Sequence, residues 1–261
     1  MDLLNIISEI EKVDPEFQEK ISPRRAAIKN ITSFGSKVAV AAMPFALGSL
    51  FKKAYAQQST TAIAAVLNYA LQLEYLEANF YNAGLDAATF ATMRLSITPS
   101  ELAGLRLIQT DENNHVTFLR TVISSLGATP VSFTAANFDF TARGTFPTVT
   151  TSSATYLAVA QVFEDTGVRA YKGQAGNLLR NQTVLTAALN IHSVEARHAS
   201  HIRMVRRARA LATGTTSAAA IRPWITGAND TGVGSVTSAT QAYDEPLGMP
   251  AVVAIVTPFF R

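Results

Sequence analysis

Apolar positions recur every three to four residues over four long stretches of the chain, and this spacing predicts four α-helices. The first predicted helix runs from Thr61 to Leu85 and the second from Thr98 to Leu126. The third runs from Ser153 to Leu179 and the fourth from Thr183 to Ala212. Amphipathic helices bury their apolar stripes against one another, so the pattern predicts an all-α, antiparallel four-helix bundle.

The connections between these helices differ in length. The second helix begins with a capping-box pattern at Thr98 and Glu101, and Gly127 ends it. The link after it, residues 128–152, is rich in Thr and Ser and is long enough to run the height of a bundle. We therefore predict a crossover that joins two helices pointing in the same direction.

The last part of the chain, residues 213–261, is rich in Thr, Gly and Pro. It is predicted to be an irregular tail that docks on the bundle through Trp224 and the apolar stretch from Val252 to Phe260. The bundle itself is assigned to residues 57–212.

The first 56 residues read as an export signal. A pair of arginines, Arg24 and Arg25, precedes an apolar run over residues 38–51 that is too short to span a bilayer comfortably. The order resembles a twin-arginine signal with cleavage after Ala56. The expectation is a periplasmic or otherwise exported protein that meets the membrane only through this segment; an uncleaved amphipathic anchor is the alternative.

Composition narrows the possible chemistry. The 261 residues include no cysteine, which excludes disulfides and thiolate-bound metals. Residues 57–261 carry fourteen basic and thirteen acidic side chains, so this part is nearly neutral and no nucleic-acid partner is predicted. Any metal site must use His, Asp or Glu.

Two Glu-x-x-His motifs, one in the second helix and one in the fourth, place a carboxylate and an imidazole on the same apolar face. The first and third helices each add a glutamate within the apolar stripe. Because a buried carboxylate is costly without a partner, four such residues indicate a site for two cations. The candidate metal ligands are Glu74, Glu112, His115, Glu164, Glu195 and His198.

A second repeat supports this set. Tyr81 follows Glu74 by seven residues, and Tyr171 follows Glu164 by seven, so each tyrosine lies on the face of its glutamate. This repeat favours Glu74 over Glu77 as the ligand of the first helix. The tyrosines are either core residues with one hydrogen bond or redox-active neighbours of the metals.

Four more polar residues near the motifs have open roles. Glu77 is an extra ligand, a gate for metal entry or a hydrogen-bond partner. Asp111, one turn before His115, is a candidate to orient a ligand imidazole or a surface residue. His192 is a better candidate for a supporting contact than His201, which is expected to be solvated.

The stretch Leu73–Tyr81, together with the two Glu-x-x-His motifs, resembles the ferritin-like superfamily over about residues 61–212, and in particular its exported, desiccation-related branch. The resemblance implies a carboxylate-bridged centre of two iron ions, or alternatively two manganese ions. It also implies oxidation chemistry with O2 or peroxide. The crossover and the long tail depart from compact ferritins, so an iron-storage cage is not implied.

The leading hypothesis is an exported oxidase or peroxidase with two metal ions, serving iron oxidation or peroxide removal under stress. Its partners would be O2 or peroxide, with a homo-oligomer as an option. One alternative is a non-enzymatic stress or desiccation protectant on the same scaffold. The other is a di-manganese, catalase-like enzyme.

Overall fold

A computed structural model describes residues 59–214, 221–223 and 244–261. The predicted export signal and Trp224 lie outside these residues. The described part is helical, as predicted, and none of its helices has both the length and the hydropathy needed to cross a bilayer. In chain order the helices are α1 (Thr60–Asp86), α2 (Ala91–Arg94), α3 (Pro99–Ser125), α4 (Ser153–Ala175), α5 (Gln182–Ala212) and α6 (Met249–Val256).

Three of the four long helices, α3, α4 and α5, begin directly after a residue whose side chain accepts a hydrogen bond from a free amide group of the first turn. Thr98 accepts a hydrogen bond from the Glu101 amide at 3.3 Å, and the Glu101 carboxylate accepts one from the Thr98 amide at 2.8 Å. This is the predicted capping box. At the other end of α3, Gly127 takes a φ of 74°, a conformation that glycine adopts without strain.

The first hairpin of the bundle consists of α1 and α3. Asp86 at the end of α1 pairs with Arg106 near the start of α3 at 2.6 Å. Asn68 near the start of α1 donates a hydrogen bond to the carbonyl of Thr129, just beyond α3. The two helices are therefore antiparallel.

The second hairpin consists of α4 and α5, and it is antiparallel as well. Arg203 of α5 donates to Asp165 of α4 at 2.8 Å, while the earlier His192 lies against the later Val168. Arg203 is buried, so this ion pair belongs to the core and not to the solvated end of a helix. Breaking such a pair leaves a buried charge without its partner, which is strongly destabilising.

The two hairpins pack with α1 against α4 and α3 against α5. Glu101 at the start of α3 binds Arg209 at the end of α5, so this pair too is antiparallel. Neighbours among the four long helices are thus antiparallel, which leaves α3 and α4 pointing the same way. The link between them runs the length of the bundle, as predicted for a crossover.

The tail that the sequence predicts to be irregular ends in a helix. Pro250 lies in the first turn of α6, where its missing amide proton costs nothing, and Val252 and Val256 share the buried face. Beyond α6, the ring of Phe259 packs on Phe163 of α4 with centroids 4.6 Å apart. The four-residue spacing of Val252 and Val256 therefore indicates a helix here, although the tail as a whole is rich in Thr, Gly and Pro.

Candidate metal centre

Each of the four long helices brings one carboxylate to a single place in the middle of the bundle, and α3 and α5 each add an imidazole. The four carboxylates are fully buried, and the imidazoles are 8% and 5% exposed. The structure thus brings together all six residues that the sequence singles out as candidate ligands. They are Glu74 on α1, Glu112 and His115 on α3, Glu164 on α4, and Glu195 and His198 on α5.

The six residues form two overlapping groups, in each of which one ligand atom per residue lies within 4.8 Å of the others. Glu112 and Glu195 belong to both groups. The glutamate of α1 and the histidine of α3 complete one group. The glutamate of α4 and the histidine of α5 complete the other. The groups are Glu74, Glu112, His115 and Glu195, and Glu112, Glu164, Glu195 and His198.

Both imidazoles present Nδ1 to the carboxylates. His115 Nδ1 lies 3.1 Å from Glu74 Oε2 and 3.3 Å from Glu195 Oε1. His198 Nδ1 lies 2.8 Å from Glu112 Oε1 and 3.4 Å from Glu164 Oε2. Each imidazole therefore faces carboxylates from two other helices.

Several of these atoms have no hydrogen-bond partner although they are buried. They include both oxygens of Glu195, Oε1 of Glu112, Oε2 of Glu164 and Nδ1 of His198. Native proteins rarely leave buried polar atoms unsatisfied. The atoms converge at ion-pair distances but without hydrogen bonds to one another. Carboxylate oxygens with imidazole nitrogens are a suitable donor set for iron or manganese. The residues therefore fit a pair of metal ions.

The electrostatics of the cluster favour a cation. Burial raises the pKa of Glu112 to about 7, although the adjacent imidazoles of His115 and His198 oppose the rise. Burial and the neighbouring carboxylates also raise the pKa of Glu195 well above its ordinary range. Burial lowers the pKa of His198, but the carboxylates of Glu164 and Glu112 outweigh it and raise the value to about 12. Without metal the cluster must hold protons in place of positive ions.

The two tyrosines lie at the cluster but make contacts that the sequence did not predict. Tyr171 of α4 donates a hydrogen bond to Glu74 of α1, and Tyr81 of α1 donates one to Glu164 of α4. Because α1 and α4 are antiparallel, each tyrosine reaches the glutamate of the other helix and not its own. Burial raises the pKa of both phenols, so they act as hydrogen-bond donors.

Asp111 supports an imidazole, though not the one on its own helix. Its Oδ2 lies 3.1 Å from His198 Nε2 on α5, although along the chain Asp111 precedes His115 by one turn. This contact fixes which nitrogen of His198 faces the carboxylates. His192 does not reach the cluster, because its Nδ1 is held 3.0 Å from the carbonyl oxygen of Val168.

His201 is half-buried, not solvated as expected, because Gly104 of α3 leaves room for its ring. A Cβ atom at Gly104 would lie 2.3 Å from His201 Nε2.

Glu77 is 3% exposed, and the cluster carboxylates are among its neighbours. Sequence reasoning missed Gly167, which lies against the carboxylates of Glu77 and Glu195. Aligning the two Glu-x6-Tyr repeats position by position would have found it.

A four-helix bundle with a crossover and a buried cluster of glutamates and histidines defines a class of helical proteins suited to bind metal ions. The family model described as the ferritin-like domain matches residues 62–208, which is more than half of the chain. The chain therefore belongs to the ferritin-like domain family. A comparison with curated proteins gives no match.

Proposed function

We propose that the cluster holds two metal ions, iron in the first instance, and that the protein reduces O2 or peroxide there. The observation that carries the proposal is the pair of overlapping, buried ligand groups that share Glu112 and Glu195. Two iron ions so held would supply the electrons for the reduction. Four carboxylates also balance the charge of two divalent ions.

The chain's own residues divide this work. Glu112 and Glu195, which belong to both ligand groups, would hold both ions, while Glu74 and Glu164 would each hold one. Tyr171 and Tyr81 hold these last two carboxylates in position by donating hydrogen bonds to them. A redox role for Tyr81 and Tyr171, as neighbours of the metal ions, is also part of the proposal.

The surrounding core keeps water away from the cluster. Phe80 of α1 stacks on Tyr156 of α4 with centroids 4.5 Å apart, and Phe163 packs edge-on against Phe80 at 5.0 Å. All three rings are buried. A dry, low-dielectric surrounding strengthens the attraction between the carboxylates and any bound cation.

The physiological setting of this activity is proposed to be the periplasm or another exported location, with iron oxidation or peroxide removal under stress, including desiccation, as the role. The support is the twin-arginine-type order of residues 1–56. That route carries folded proteins, which suits a protein loaded with metal before export. Sequencing the amino terminus of the protein from the exported fraction tests cleavage after Ala56.

Elemental analysis of the natively purified protein tests the metal centre. The proposal expects two irons per chain, and Glu112→Ala is expected to lose them because both groups share this residue. Two manganese ions with fast peroxide dismutation would instead select the catalase-like enzyme. Absence of metal, with unchanged stability in Glu195→Ala, would contradict both metal-based functions and favour a protectant.

A further inference from the structure

The repeated motif of α1 and α4 differs at one informative position. Three residues after the ligand glutamate, α1 has Glu77 and α4 has Gly167, and the tyrosine follows four residues later in both helices. Since α1 and α4 face each other at the cluster, the two positions meet there. One helix adds a carboxylate where the other has no side chain.

The missing side chain creates the space in which two carboxylates lie. A Cβ atom built on Gly167 would be 2.7 Å from Glu195 Oε2 and 3.2 Å from Glu77 Oε1. Both distances are shorter than an ordinary contact, so any larger residue would displace these groups. Neither oxygen of Glu195 has a hydrogen-bond partner. Glu77 thus extends the cluster on the side where Glu195 is unsatisfied.

An ionised Glu77 is unfavourable at this position unless a cation is present. It is 97% buried, and the charged groups that act on it most strongly are the carboxylates of Glu195 and Glu112. Burial of a carboxylate costs several kcal/mol in general, and like charges add to that cost. The neighbouring imidazoles face other carboxylates, as described above.

We infer that Glu77 is a seventh ligand of the metal centre, a fifth carboxylate that binds beside Glu195 in the space left by Gly167. This rests on the proposed function, in which the cluster holds two ions. Four carboxylates neutralise two divalent ions, so a fifth favours the pair after oxidation to the trivalent state. Glu77 therefore increases metal affinity and stabilises the oxidised centre relative to the reduced one.

Cobalt(II) titration of the metal-free, full-length protein tests this inference, because cobalt absorption reports coordination number. The wild-type protein is expected to bind two ions. Glu77→Gln keeps the shape of the side chain but removes its charge, and is expected to weaken binding about tenfold or more. Its absorption should be more intense, as is typical of lower coordination. Gly167→Ala should also weaken cobalt binding, since its methyl group would displace the carboxylates of Glu77 and Glu195.

Stability and potential give two readouts that a purely structural role would not produce. Without metal, Glu77→Gln should melt at a higher temperature than the wild type, because a neutral amide replaces a carboxyl group that is costly to bury among other carboxylates. The rise in melting temperature on adding cobalt should be smaller than in the wild type. With iron, the midpoint potential of the variant should be higher. Asp86→Asn, on the exposed end of the same helix, should leave both the cobalt-induced rise in melting temperature and the midpoint potential as in the wild type.

The outcomes separate the inference from the function on which it rests. A wild-type protein that binds two cobalt ions, with Glu77→Gln unchanged in affinity and spectrum, overturns the seventh ligand alone. A wild-type protein that binds no metal overturns the proposed function and this inference together.

Discussion

The hydroxyl of Tyr171 donates a hydrogen bond to Glu74, a residue 97 positions earlier in the chain. Tyr81 makes the reciprocal contact with Glu164. Each tyrosine therefore positions a candidate ligand that belongs to the other hairpin. The contacts join the two halves of the bundle at the point where the metal centre is proposed.

Removing either hydroxyl should weaken both the fold and the metal centre. Tyr171→Phe leaves a buried oxygen of Glu74 without its donor, and a hydrogen bond to a charged group contributes about 1.5–3 kcal/mol. We expect the free energy of unfolding in urea to fall by about this amount, and metal affinity to fall with it. Tyr81→Phe should behave alike because of its reciprocal contact.

Tyr75→Phe is the matched control, since the hydroxyl of Tyr75 binds Arg120 outside the cluster at 2.7 Å. It should leave metal affinity unchanged. Unchanged metal affinity in both Tyr171→Phe and Tyr81→Phe would show that the hydroxyls do not position the ligands.

The shared and unshared glutamates should differ in how many ions they hold. Glu195 belongs to both ligand groups, whereas Glu164 belongs to one. We expect Glu195→Ala to lose both ions and Glu164→Ala to retain one, in the group that contains Glu74 and His115. Elemental analysis of the reconstituted variants measures this directly. Equal losses in the two variants would contradict the division into shared and unshared ligands.

Asp111→Asn should weaken one half of the centre selectively. Its carboxylate accepts a hydrogen bond from His198, and loss of such a supporting group typically costs ten- to a hundredfold in metal affinity. Calorimetric titration should therefore show one weakened ion, while the ion held with His115 binds as in the wild type. Protein stability should change little, because the Asp111 side chain is 47% exposed. Two equally weakened ions would refute the assignment.

The pair of Glu101 and Arg209 should make stability depend on pH in the acid range. The hydrogen bonds from Arg209 lower the pKa of Glu101 from 4.5 to about 2. Because the folded state has the lower pKa, the contribution is present above pH 4.5 and is lost as pH falls through 2. Since solvent screens this partly exposed pair, we expect Glu101→Gln to cost about 1 kcal/mol at neutral pH.

The cost of Glu101→Gln should shrink as pH falls and disappear below pH 2. Urea unfolding at several pH values measures it. Glutamine preserves the capping box, so a penalty that does not vary with pH would mean that the loss comes from packing and not from charge.

Much of the fold follows from local features of the sequence. The spacing of apolar residues predicts all four long helices, and the side chains of Thr98 and Glu101 predict where α3 begins. The length of the crossover indicates that α3 and α4 run in the same direction. These features depend on neighbouring residues, so a single sequence carries them. The sequence also predicts that the six candidate ligands converge, because charged residues in a buried apolar stripe are costly unless they pair with one another or bind a metal.

Only the tertiary structure decided which helix each side chain would face. Spacing along a helix places Tyr81 on the face of Glu74, but the antiparallel packing of α1 against α4 directs its hydroxyl to Glu164. The packing of the helices also brings Asp111 into hydrogen-bond contact with His198 and places Glu77 opposite Gly167. Helical periodicity fixes a residue's direction around its own axis, whereas the register between hairpins is set by the packing of the whole core.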